Sequence, residues 1–360
     1  MARLTLLDPT RAGKQAQDLE TKLRRCVVGQ DEAIHEIVTT YQTYVAGLSP
    51  AGRPVANFLF LGPTGSGKTR LVEATAESLL NIPQAVLKID CAEFQHGHEI
   101  AKLIGSPPGY LGHRETHPLL SQEALNQHHT DKVKLTFVLF DEIEKASDAL
   151  WNLLLGILDK GVLTLGDNRR VDFSASMIFM TSNVGAAEIS SLSSLQLGFH
   201  SRASEADGSS RERICARISG AGLAAARRKF TPEFINRLDR IVAFKPLGPD
   251  ELQRIADIEI ALVQERLKTA AIAPSFALNV NESARGFLLA EGTDARYGDR
   301  HLKRAIERLL VQPLANLIAS GQIRRGDSIR VSHRPGSPAL LFFQEADAME
   351  AWSIAGRVAA

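Results

Sequence analysis

The octapeptide Gly62-Pro63-Thr64-Gly65-Ser66-Gly67-Lys68-Thr69 constrains this chain more than any other stretch, because it meets the pattern G-x-x-x-x-G-K-[ST] at every fixed position. The flanks agree with it. Asn57-Phe58-Leu59-Phe60-Leu61 reads as a buried strand running into the loop, and Lys68 to Leu80 reads as the helix that leaves it. Glycines 62, 65 and 67 let successive backbone amides point inward at phosphate oxygens, and the helix N-terminus adds its positive dipole end. Lys68 is then placed to reach the terminal phosphates, and the Thr69 hydroxyl to ligate the magnesium ion that neutralises them. The expected ligand is a nucleoside triphosphate with Mg2+.

Around that loop the chain reads as alternating strands and helices. Val86–Asp90, Leu135–Phe140, Ser176–Met180 and Arg240–Phe244 are further strand candidates separated by helix-length segments. This makes an α/β fold, a largely parallel sheet of five strands between helices. Residues 16–46 read as two helices broken at Val27-Val28-Gly29-Gln30, with Asp31 as the cap of the second. After Pro246 the apolar residues recur at helical spacing (Leu252, Ile255, Ile258, Leu262, then Leu302, Ile306, Leu309), which predicts a small, mainly helical second unit. The expected divisions are a flexible segment 1–15, a large α/β domain 16–245, a small domain 246–345 and a tail 346–360. The polar stretch Ser201–Arg213 reads as a mobile loop.

Bulk properties exclude more than they assign. With 42 basic and 41 acidic residues among 360, the net charge of +1 selects neither nucleic acid nor an anionic membrane. No apolar run has the length of a signal peptide core or a membrane span, so a cytoplasmic location is the default expectation. The three cysteines, Cys26, Cys91 and Cys215, lie far apart without a Cys-x-x-Cys pair and read as reduced thiols.

A second motif supplies chemistry. The apolar run Leu135–Phe140 ends in Asp141-Glu142, and in a parallel sheet this end opens on the same edge as the phosphate loop. Asp141 is the expected magnesium ligand, and Glu142 the residue that orients and polarises the attacking water. The alternative is a pair that caps the following helix.

With both motifs in place, the chain resembles the second ATPase module of the ClpA, ClpB and ClpC chaperones, in the AAA+ superfamily, along nearly its whole length. The resemblance narrows the nucleotide to ATP and implies an AAA+ large domain followed by a helical lid. It makes Val27 and Val28 lining residues of the adenine pocket, within a motif running to Ile34. Val138–Ala146 is similar to the family's magnesium and catalytic-glutamate motif. Asn183, closing Met180-Thr181-Ser182-Asn183, corresponds to a sensor that helps place the lytic water. Arg237, in the stretch Phe230–Asp239, matches an arginine finger that reaches the neighbouring subunit's site, which implies a homo-oligomer, in the family a hexamer. Arg300, in Tyr297–Arg304, matches the arginine that the lid lays on the nucleotide. Here the family's Gly-Ala-Arg is Gly-Asp-Arg, so Asp299 is expected to pair with Arg300 or a neighbour.

The resemblance also implies a use for the ATP. Gly109-Tyr110-Leu111-Gly112 is similar to the family's pore loop, with Tyr110 gripping a protein substrate through broad apolar contact; the alternative is a tyrosine folded onto its own domain. Leu158–Thr164 with the turn Gly166-Asp167-Asn168 is a candidate second pore loop. Leu197-Gly198-Phe199 stands where ClpA and ClpC dock the ClpP peptidase, and is either such a site or part of the core. Substrate choice is expected to fall to the N-terminal segment, the tail or an adaptor protein. The function implied is an ATP-driven unfoldase threading polypeptide through a pore. The alternative is a nucleotide-controlled remodelling factor for one dedicated protein partner.

Overall fold

The computed structural model describes residues 8–9, 11–106, 118–197, 208–269, 276–293 and 299–345. Two compact units divide between Pro246 and Leu247. The first is built on a five-stranded sheet in the order β2-β3-β6-β1-β7, comprising β1 (Ala56–Leu61), β2 (Val86–Asp90), β3 (Thr136–Asp141), β6 (Ser176–Ser182) and β7 (Arg240–Ala243). Every adjacent pair is parallel.

Both faces of this sheet are buried, and the side-chain period of two divides each strand between two cores. Phe58, Phe60, Phe137, Leu139, Met177 and Phe179 share one core with the helices Lys14–Cys26, Asp31–Val45 and Lys68–Leu80. Leu59, Leu61, Val138, Phe140, Ile178 and Met180 face the other, with the helix Asp148–Lys160. Phe58 and Phe179 stack with centroids 5.0 Å apart across the β1–β6 pair. A short antiparallel hairpin, β4 (Val162–Thr164) with β5 (Arg170–Asp172), follows that helix.

Three expectations change. Asp31 is the first residue of its helix rather than the cap, which is Gln30, and Asp31 pairs instead with Arg24 on the preceding helix. The stretch 201–213 is not all loop, since the helix Gly208–Lys229 begins inside it; residues 201–207 lie outside the described set. Strand β6 also extends two residues beyond Met180, to Ser182.

The second unit packs the helices Pro249–Thr269, Glu282–Gly292, Asp299–Ile306 and Gln312–Ala319 around a wholly apolar core that includes Leu252, Ile260, Leu288, Leu302, Leu310 and Val331. It also carries a three-stranded sheet, β8 (Ala277–Val280), β9 (Ser328–His333) and β10 (Leu340–Glu345), in the order β10-β9-β8. Of these strands the last carries the plainest pattern, the apolar run Leu340–Phe343, whereas β8 and β9 bury only two apolar residues each.

Candidate ATP-hydrolysis site

The site is created by strand order. β6 lies between β1 and β3, so the carboxyl end of β6 separates the phosphate loop after β1 from the carboxylates after β3. Asn183, just beyond β6, joins them. Its Oδ1 accepts from Lys68 Nζ at 3.1 Å and from Thr64 Oγ1 at 3.4 Å, and its Nδ2 donates to Glu142 Oε1 at 3.5 Å.

The loop is held by close packing. Gly62 has φ +144°, and a Cβ there would stand 2.6 Å from the Phe244 carbonyl oxygen, so no larger residue fits beside the end of β7. Gly67 ends the loop with φ +94°, and the helix Lys68–Leu80 starts at the next residue with its N–H groups facing the loop. Lys68 is 8% exposed, and its ammonium donates to the Gly62 and Pro63 carbonyls at 2.7 and 2.9 Å. Ser66 Oγ donates to the Pro63 carbonyl at 2.8 Å. Val27 and Val28 are buried, and Val27 Cγ1 lies 4.0 Å from where a Gly67 Cβ would be.

Thr69 Oγ1 stands 3.5 Å from Asp141 Oδ2. A hydroxyl and a carboxylate meeting beside a buried ammonium and a helix N-terminus form a donor set that fits Mg2+ shared with phosphate oxygens. Three features of the acidic end are not assigned by the sequence motifs. Thr181 Oγ1 donates to Asp141 Oδ1 and accepts the Glu142 N–H at 3.1 Å, so one hydroxyl orients both acids. Glu144 Oε1 accepts the Asn183 N–H at 3.1 Å, while its other carboxylate oxygen is buried without a partner among the described residues. Lys145 forms an ion pair with Glu142, and that hydrogen bond and charge hold the ammonium protonated more firmly than usual. The signal available for Thr181 was a hydroxyl directly after the apolar run Met177–Met180 of β6.

Nearby Cys91 is fully buried. Burial first, then the charges of Asp90, Asp141, Glu144 and Glu142, push its thiol pKa up, which leaves it a neutral packing group. Gln30, also buried, clamps the segment after Val27-Val28-Gly29. Its amide donates to Ser66 O at 3.1 Å and Lys245 O at 3.0 Å and accepts from Lys245 N at 3.1 Å.

Arg237 pairs with Glu233 at 2.9 Å and reaches toward Asp159 at 3.9 Å. Arg300 stands in the first turn of Asp299–Ile306 in the second unit, where Asp299 pairs with Lys303 at 3.8 Å. Gly109, Tyr110, Leu111 and Gly112 lie outside the described residues, as do Gly198 and Phe199, and Leu197 closes the helix Ala186–Leu197.

Comparison with known proteins defines the class first. Residues 53–241 match the AAA domain (Cdc48 subfamily) family, and residues 247–331 match the C-terminal, D2-small domain of ClpB protein. The chain belongs to the AAA+ ATPases, and within them to the Clp chaperone group. It is 38% identical over 318 residues to the chaperone protein ClpB of Rhodopseudomonas palustris, covering 88% of this chain and 33% of that protein. It is 39% identical over 317 residues to ClpB of Meiothermus ruber, covering 88% of this chain and 34% of the relative. A closed-state cryo-EM reconstruction of Hsp104 with ATPγS and FITC-casein superposes with a TM-score of 0.72 at 30% identity, over 92% of this chain and 52% of that one. The chain thus spans about a third of the length of the curated relatives it matches. It is a nucleotide-binding ATPase module, and no described helix is long and apolar enough to cross a membrane.

Proposed function

We propose that this chain hydrolyses ATP to unfold protein substrates as part of a ring of its own copies, drawing polypeptide past Tyr110. The observation that carries the reading is the Asn183 amide, which ties Lys68 to Glu142 across the end of β6. On ATP binding, Lys68 trades main-chain carbonyls for phosphate oxygens, and the loop N–H groups hold the remaining charge. Thr69 and Asp141 would hold magnesium, which neutralises the phosphates. Glu142 Oε1 orients a water for in-line attack and accepts its proton, with Asn183 fixing that carboxylate. Attack forms the new phosphorus–oxygen bond as the β–γ bridging bond breaks, leaving ADP and inorganic phosphate. Arg237 serves the site of a neighbouring copy, where its charge offsets that on the transferred group. Arg300 reports the nucleotide to the second unit.

Unfolding as the purpose is supported by kinship with relatives called chaperones and by the casein in the Hsp104 reconstruction. The test is ATP-dependent loss of fluorescence from a stably folded, tagged fluorescent protein. Glu142→Gln and Tyr110→Ala are both expected to abolish it. Robust ATP turnover without unfolding, or indifference to Tyr110→Ala, would instead favour remodelling of a dedicated partner. Adding a ClpP-type peptidase tests the Leu197–Phe199 segment, since degradation that requires this tripeptide would make it a docking site.

A further inference from the structure

Strand β1 is buried along its whole length, and its one polar side chain, Asn57, is 0% exposed. None of the chemistry above uses it. Its Nδ2 donates to the Leu158 carbonyl at 3.1 Å and to the Arg237 carbonyl at 3.0 Å. Leu158 lies in the last turn of Asp148–Lys160, where carbonyls lack intrahelical partners. Arg237 follows the short helix Pro232–Ile235. One amide therefore ties together two segments that are distant in sequence. Its Oδ1 is buried without a partner among the described residues, a cost for which an apolar residue would have no need.

The same two segments meet twice more. The Asn57 N–H donates to Asp239 Oδ2 at 2.8 Å, and Asp239 in turn pairs with Arg53, against whose Cα a Gly161 Cβ would stand at 3.0 Å. Arg237 itself reaches toward Asp159 at 3.9 Å. Beyond Gly161 the chain forms the β4–β5 hairpin, whose turn touches the stem of the Tyr110 segment. Gly166 N–H donates to Ile104 O at 2.8 Å, and a Cβ at Gly166 would meet Gly105 O at 2.6 Å. That stem is closed by Leu119 and Leu120, whose N–H groups donate to Lys102 O and Leu103 O at 3.1 and 3.0 Å.

We propose that Asn57 is a positioning residue that couples the β4–β5 hairpin, and through it the stem of the Tyr110 loop, to Arg237. A load on the stem moves the hairpin and the Leu158 carbonyl, and the shared amide carries that displacement to the main chain of Arg237. Substrate engagement in one copy thereby sets the arginine presented to the next. This inference rests on the reading of Arg237 given above.

The test is ATP turnover by the full chain with and without casein as the unfolded polypeptide, for Asn57→Ser, Arg237→Ala and the double variant. Asn57→Ser is expected to lower kcat about fivefold or more, to leave the KM for ATP within about twofold, and to remove stimulation by casein. In the Arg237→Ala background it should lower kcat no further, since both changes act through one group. Equal losses in both backgrounds would assign Asn57 a purely structural role and overturn the coupling. Normal turnover by Arg237→Ala alone would overturn the arginine's role first, and the coupling with it. Gly166→Ala, whose Cβ would meet Gly105 O at 2.6 Å and so push the turn off the stem, should cut casein stimulation several-fold in protein whose unfolding transition is unchanged; full stimulation would also overturn the relay.

Discussion

The two units bury different things. Every buried polar residue among those described lies in the first: Gln30, Asn57, Ser66, Lys68, Thr75, Thr136, Ser176, Thr181 and Ser182. The second unit's core is apolar throughout. A buried polar group costs free energy unless its partners are in place, so such groups accumulate where orientation matters more than stability. In the first unit most of them lie on the central strands or the phosphate loop, and Thr181, Lys68 and Gln30 each bind two or more segments together. The second unit depends on shape. It should tolerate exchange among apolar residues of equal volume, whereas the first should not tolerate loss of a single hydroxyl.

The comparison is tested most severely at Glu142. If the first unit's polar centre performs the chemistry, Glu142→Gln lowers ATP turnover by about 10²–10⁴-fold with nucleotide affinity retained, measured by steady-state hydrolysis beside a fluorescent-nucleotide titration. The counterpart in the second unit is Leu288→Ala. Leu288 is fully buried on the helix Glu282–Gly292, which does not carry Arg300, so the truncation is expected to cost about 2–5 kcal/mol in that unit's stability by denaturant unfolding, with nucleotide affinity unchanged. An equal loss of nucleotide affinity would break the division of labour.

Thr181→Val is a smaller and more discriminating change. It keeps the shape but strands the Glu142 N–H and one Asp141 oxygen, at a cost of about 1–3 kcal/mol. Turnover should fall by more than the stability loss explains, because both acids lose their alignment. Stability reduced with kcat intact would make Thr181 only a packing residue.

The smallest effect is expected at Asp299, the second unit's exception. Burial raises its pKa above the ordinary 3.8, against the lowering influence of Lys303 and Arg300. The folded state therefore holds the proton more tightly than the unfolded chain, so this contribution is full below the unfolded value and is lost as pH rises through the folded one. Asp299→Asn is expected to raise the Tm slightly at neutral pH, a gain that disappears as the pH approaches 3.8. Lys303 keeps Glu259 as a partner at 3.1 Å, which limits the effect of losing Asp299. A lower Tm at neutral pH would mean that the ion pair outweighs desolvation.

Much of the first unit was legible because local signals there are strong. Apolar runs such as Phe58–Leu61 and Phe137–Phe140 are bounded by glycines or acids, and the helix after Lys68 has its start written in the loop. In the second unit β8 and β9 were not legible, since two buried apolar residues apiece, Leu278 with Val280 and Ile329 with Val331, make too short an alternation to stand out until a partner strand pairs them. Asp31 misled because an acid before a helix is a good cap by propensity, whereas Gln30 occupies that position and spends its side chain on Ser66 and Lys245. No local pattern marks Glu144 and Thr181 as functional residues, because their partners, Asn183 and Asp141, stand 39 and 40 residues away in the chain.

The amino-acid sequence by itself determined which residues could hold phosphate and which strands would be buried on both faces, because glycine spacing, a lysine at a helix start and unbroken apolar runs act over a few residues. Only the tertiary structure decided that β6 enters between β1 and β3, which brings Asn183 between Lys68 and Glu142, and that Asn57 faces both Leu158 and Arg237. Strand order and the partner of a buried amide depend on how distant segments pack, and no local pattern encodes either.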